Sequence, residues 1–229
     1  MNKGFRFAFV SIAFSLFLTA GLVSQARAQR GVLGEILHRM DEHNKSLVSL
    51  KADVKMDKVN SQLGETDTTS GTTSYLPKKT KGVMAVRIDW TKPVEEHIVI
   101  LGETYKLYRP RLNQVITGKV DNVQKDKKVP GNALAFMSMS EAQLKANYEV
   151  NYIGQESDLW HLELIPKTKT SYKSAELWVD ANGMPLQAKI IEQNNDTTTV
   201  RLSNLQKNVT ISASDFQLVL PKGVKQIQG

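Results

Sequence analysis

Residues 50–57 read Leu-Lys-Ala-Asp-Val-Lys-Met-Asp, and apolar and charged side chains alternate without a break. That period of two belongs to a strand with one buried and one solvated face. Immediately upstream the period is different. Val32, Leu33, Ile36, Leu37, Met40 and Leu47 recur at helical spacing, with Glu35, Arg39, Asp41, Glu42 and Lys45 between them. The spacing predicts an amphipathic helix from Val32 to Leu47, about four turns long at 3.6 residues per turn. Helix then half-buried strand is the order in which the chain begins its fold.

Further upstream, Lys3 and Arg6 precede an apolar run from Phe7 to Val23 that ends in Ala26-Arg27-Ala28. A basic start, an apolar middle and an A-x-A ending are the parts of a secretory signal peptide. The run falls slightly short of the roughly 20 apolar residues of a spanning helix. Cleavage is expected after Ala28, leaving residues 29–229 as one soluble domain in the periplasm. The first 28 residues hold three basic side chains and no acidic ones, so the remainder keeps a modest positive excess, with its basic residues scattered. No nucleic-acid surface is expected from that distribution. The chain has no cysteine, so an exported domain stands on its core without disulfides. Gln29 stands where a lipoprotein would carry its acylated cysteine.

Downstream, a Ser/Thr/Gly-rich stretch from Ser61 to Ser74 is expected to be a hairpin loop. Strands are expected at Gly82–Trp90, His97–Leu101 and Thr104–Tyr108, between turn signals at Lys92-Pro93, Gly102 and Pro110. The lysine-rich span Asp121–Gly131 is expected on the surface, and Ala133–Met139 and Glu141–Ala146 as short helices. Strands resume at Trp160–Leu164, Ala175–Val179, Leu186–Ile191, Thr197–Leu202 and Phe216–Leu220, with Asn182-Gly183 as a hairpin turn. A large antiparallel sheet with one greasy face must be covered. One long helix and a short helical pair are what the sequence offers.

Motifs for catalysis are missing. There is no thiol, nucleophile elbow, P-loop or dinucleotide fingerprint. His38 and His43 are five apart, not at the i, i+4 spacing of helical metal ligands, and each of His38, His43, His97 and His161 reads as a solvated surface side chain. Carboxylate pairs such as Glu95-Glu96 and Asp41-Glu42 are sequence neighbours that rarely converge on one substrate atom. No cofactor, no metal and no enzyme activity is expected. More suggestive are Met40, Met56, Met84, Met137, Met139 and Met184, since methionine packs against ligands of varied shape.

Four stretches resemble the periplasmic outer-membrane lipoprotein carrier family, LolA: Ser49–Met56 (SLKADVKM), Val86–Val115 (VRIDWTKPVEEHIVILGETYKLYRPRLNQV), Trp160–Lys167 (WHLELIPK) and Leu177–Val224, which closes on Pro-Lys-Gly-Val. The resemblance implies an α+β fold, mainly antiparallel: an unclosed, strongly curved barrel of about nine to eleven strands under a helical lid. It also implies a monomer that carries the acyl chains of lipoproteins. An inner-membrane exporter would load it and an outer-membrane acceptor would unload it. The lining is expected at Val54, Met56, Met84, Val86, Ile88, Trp90, Trp160, Leu162 and Leu164. Leu33, Leu37 and Met40 of the first helix, and Phe136 and Met137, would close over it. The family's Arg-Pro pair is absent from Leu76-Pro77-Lys78-Lys79-Thr80, and the lid latch falls to Lys79 and Arg87. The same fold would also suit a carrier of free lipid or glycolipid, or an envelope-stress sensor that binds lipoproteins.

Overall fold

The computed structural model describes residues 31–120 and 136–229, without the side chains of Lys79 and Lys81. The expected signal peptide and the loop 121–131 lie outside the described residues, as do positions 133–135 of the expected helix. Twelve strands form one sheet: β1 (Leu50–Val59), β2 (Thr66–Leu76), β3 (Ala85–Lys92), β4 (Glu96–Leu101), β5 (Thr104–Arg109), β6 (Gln114–Lys119), β7 (Tyr148–Glu156), β8 (Leu159–Pro166), β9 (Tyr172–Val179), β10 (Pro185–Glu192), β11 (Thr197–Lys207) and β12 (Lys225–Gln228). Their order is β12-β6-β5-β4-β3-β2-β1-β11-β10-β9-β8-β7. Two antiparallel meanders, β1–β6 and β7–β11, are therefore joined where β1 pairs β11. The last strand alone runs parallel to its neighbour, β6. Strands β7 and β12 do not meet, so the sheet is unclosed.

The alternation in the sequence becomes two faces. Leu50, Ala52, Val54 and Met56 turn inward on β1, and Leu162 and Leu164 on β8, Leu177 and Val179 on β9 and Val200 and Leu202 on β11 join them in one continuous core. Helix α1, residues 31–46, lies on that inner face. Ile36, Leu37 and Met40 are wholly buried there, while Glu35, Arg39 and Glu42 stay in water. Two shorter helices are α2 (Lys78–Lys81) and α3 (Glu141–Asn147). The latter starts at a reciprocal cap between Ser140 and Gln143 and buries Leu144.

Gly183 sets how closely α1 can dock. It occupies the β9–β10 turn at φ +82°, and a Cβ there would lie 2.2 Å from the carbonyl carbon and oxygen of Arg39. Gly183→Ala should therefore both strain the turn and push the helix outward. The expected result is a fall in stability of about 2 kcal/mol, with loss of hydrogen-exchange protection concentrated in residues 31–46. Unchanged exchange in that helix would mean the close approach is not what seats it.

Several expectations need correction. The stretch Ser61–Ser74 is not mainly loop: the chain turns tightly within 60–65, where Asn60 N–H donates to the Glu65 carbonyl, and β2 begins at Thr66. Threonine-rich segments suit a strand whose faces are mostly solvated, so hydropathy alone hides them. Gly71, mid-strand, permits a close approach to β3, since a Cβ there would stand 2.0 Å from the Asp89 carbonyl oxygen. Phe216–Leu220 is not a strand either. A 3-10 turn, Ala213–Phe216, drives Phe216 into a second, smaller core with Leu76, Ala85, Val99 and Ile211 on the outer face of β2–β4. Strands β6, β7 and β12 were not expected at all.

Candidate functional site

The inner face gathers every residue expected to line it. Leu37, Met40, Val54, Met56, Ile88, Trp90, Phe136, Leu162 and Leu164 are buried in the one cluster, and Leu33, Met84, Val86, Met137 and Trp160 pack against it half-buried. All six methionines from Met40 to Met184 belong to the same interior. The expected lining leaves out Ile36, Leu144 and Tyr105, each also buried there. Ile36 stands in the apolar stripe of the first helix, four residues before Met40. Tyr105 depends on a distant partner: Gly118 leaves it room, for a Cβ there would come within 2.7 Å of the ring.

Helix α1 is a plug in this interior, with its polar attachments at its edges. Arg39 Nη1 donates to the Ala181 carbonyl at 2.8 Å, and its guanidinium lies 5.4 Å from the Trp160 ring centroid. Asn44 donates to the Met139 carbonyl at 3.0 Å, tying α1 to the segment before α3. Just past the helix, Val48 N–H donates to Asn208 Oδ1 at 2.7 Å, and Asn208 N–H to the Ser49 carbonyl at 2.8 Å. These bonds are partly exposed, each worth about 1 kcal/mol. The helix is held mainly by its apolar stripe.

Under the segment at 136–139, Phe136 meets Tyr148 and Tyr172 edge-on, at 5.6 and 5.8 Å between centroids. The two tyrosine hydroxyls share a 2.7 Å hydrogen bond. Burial first, and that bond second, hold the Tyr172 hydroxyl well above the ordinary tyrosine range, so it stays neutral.

Arg87 lies away from the first helix. Strand alternation turns it to the outer face with Ala85 and Asp89, where Nε pairs Asp89 at 2.7 Å and Nη1 donates to the carbonyls of Asp215 at 2.9 Å and Gln217 at 3.3 Å. It fastens the segment after β11 to the back of the sheet. The side chain of Lys79 is outside the described part of the structure.

The histidines also differ from expectation, with His38 alone exposed. His43 is buried. On the outer face His97 bridges Asp89 at 2.6 Å and Glu95 at 3.0 Å, and His161 stacks on Trp178 with Nε2 at 3.1 Å from Glu176. Both face away from the apolar interior. Glu95 and Glu96, neighbours in sequence, are sent to opposite faces, since Glu96 pairs inward with Arg109 at 3.1 Å.

An unclosed sheet around a methionine-rich interior, stoppered by a helix, is the geometry to compare. Residues 50–219 match the family described as outer membrane lipoprotein carrier protein LolA. The chain belongs to the LolA family. Within LolA relatives, the outer-membrane lipoprotein carrier protein of Haemophilus ducreyi is 30% identical over 140 residues, 61% of this chain and 61% of that protein. The chain thus spans about six tenths of the length of the curated relatives it matches. Among solved structures, an uncharacterized conserved protein from Thermus thermophilus superposes with a TM-score of 0.55 at 13% identity, over 86% of this chain and 99% of that one. A crystal structure of MucB gives 0.55 at 13% identity, over 85% and 64%, and a chain of the Pseudomonas aeruginosa MucA/MucB complex gives 0.50 at 12%, over 81% and 60%. These likenesses are of fold. Among the described residues, no helix is long and apolar enough to cross a membrane.

Proposed function

We propose that the protein is a periplasmic carrier, not an enzyme, that takes the acyl chains of lipoproteins from an inner-membrane exporter and gives them to an outer-membrane acceptor. The observation that carries the reading is the plugged interior, with its helix plug and six methionines in one cluster. Family membership supports lipoprotein as the cargo. In the empty state Leu37 and Met40 fill the space that acyl chains would take. Each methylene withdrawn from water is worth about 0.8 kcal/mol, so an open greasy cavity would be costly and a multi-chain anchor would be held firmly. Loading exchanges contacts with the helix for contacts with lipid. Such an exchange is close to balanced, so delivery needs no ATP at the carrier. Methionine, flexible at three torsions, lets the lining refit to either occupant.

Native mass spectrometry of the protein purified from its own periplasm without detergent tests this. The expected result is a mass increment equal to an acylated polypeptide. An increment of free phospholipid or glycolipid would replace lipoprotein with lipid as cargo. An empty protein that also fails to release lipoproteins from spheroplasts would overturn carriage. In that case the fold likeness to MucB in its complex makes a sensor role the next to test.

A further inference from the structure

Among the described residues, one polar side-chain atom of the apolar interior is left without a hydrogen-bond partner. Trp90 is almost wholly buried, and its indole Nε1 has no hydrogen-bond partner among the described residues. Buried donors are nearly always paired, and tryptophan is usually placed where its N–H can reach an acceptor. Here the side chain packs in the lining cluster. On β4 Trp90 stands opposite Glu96, and on β2 opposite Gly71, which contributes no side chain that could accept. Glu96 is buried and occupied with Arg109. The carboxylate and guanidinium mark the polar end of the lining, while Ile88 and Val86 continue its greasy course along β3 away from Trp90.

We infer that Trp90 Nε1 is a ligand donor: it holds an ester carbonyl oxygen of the acylated cargo at the polar end of the lining. An acyl chain joined through an ester presents one acceptor at the head of a long apolar stem. Seated with its carbonyl on the indole, it would run past Ile88 and Val86, and the glyceryl end would face Glu96 and Arg109. The site then distinguishes ester-linked chains from plain alkyl chains, which the apolar lining by itself does not. The inference rests on the carrier reading of the same interior.

The test uses two probes, a glyceryl-cysteine peptide bearing two palmitoyl esters and the same peptide bearing two hexadecyl ethers. The full protein should bind the ester probe about fivefold to tenfold more tightly, the ordinary worth of one hydrogen bond to a neutral acceptor. Trp90→Phe should remove that preference by weakening the ester probe alone. In parallel, the indole N–H resonance of Trp90, assigned by elimination with Trp160→Phe and Trp178→Phe, should move downfield with the ester probe and not with the ether. These wild-type measurements decide the question even if Trp90→Phe folds poorly. Equal binding of both probes with an unmoved indole resonance would overturn the inference and leave carriage standing. Failure to bind either probe would overturn both.

Discussion

Replacing Leu37 by Glu is expected to abolish acyl-chain carriage. Leu37 is fully buried between Ile36 and Met40 on the inward stripe of α1. An unpaired carboxylate there costs several kcal/mol in place. The chain has a cheaper response, which is to lift α1 off the sheet and put the charge in water. The edge bonds from Arg39 and Asn44, each worth about 1 kcal/mol, are weaker than that cost. The sheet would then expose its inner face, and the helix we propose to exchange with cargo would be gone. Measured outcomes should be raised binding of a hydrophobic dye, lost exchange protection across residues 31–46, and no release of lipoproteins from spheroplasts, with export unaffected. Val54→Glu, in the same buried cluster on β1, should also abolish carriage. Normal carriage by both variants would show that cargo does not use this interior.

The second large effect is on the opposite face. Phe216→Ala should cost about 3–5 kcal/mol, the usual toll for emptying a buried aromatic site. Phe216 anchors the outer core with Ile211, and its neighbours Asp215 and Gln217 supply the carbonyls that Arg87 grips. Losing the ring should free the segment between β11 and β12, and with it the parallel pairing of β12 on β6. Chemical denaturation should show the midpoint falling, and limited proteolysis should cut first between residues 208 and 224. Binding at the inner face should survive under conditions where the variant is folded. A loss below 1 kcal/mol would mean that this segment is a passive cover.

The inward direction of the buried strand side chains was legible in the sequence because each choice there is local. Val54, Ile88 and Leu164 face inward for the same reason that Lys55, Asp89 and Glu163 do not: strand side chains alternate. Legibility ends where alternation is faint. Thr66–Leu76 is polar on both faces along most of its length, and Tyr148–Glu156 is an edge strand with little buried beyond Tyr148. Phe216 looked like a strand residue because hydrophobicity does not say which surface it will cover. Arg87 was assigned to the lid from resemblance, but its odd-numbered place on β3 turns it to the other side of the sheet.

What the residues determined unaided is periodic: a helix with one greasy stripe, strands with one greasy face, and the consequence that one must cover the other. What only tertiary structure decided is partnership across long stretches of chain. Pairing β1 with β11 brings Val48 to Asn208, and hairpin β9–β10 brings Ala181 to Arg39, 142 residues away. The same closure leaves the Trp90 indole with no acceptor among the described residues. Side-chain direction is set by backbone dihedrals within a few residues, whereas partnership is set by strand order, which no local period encodes.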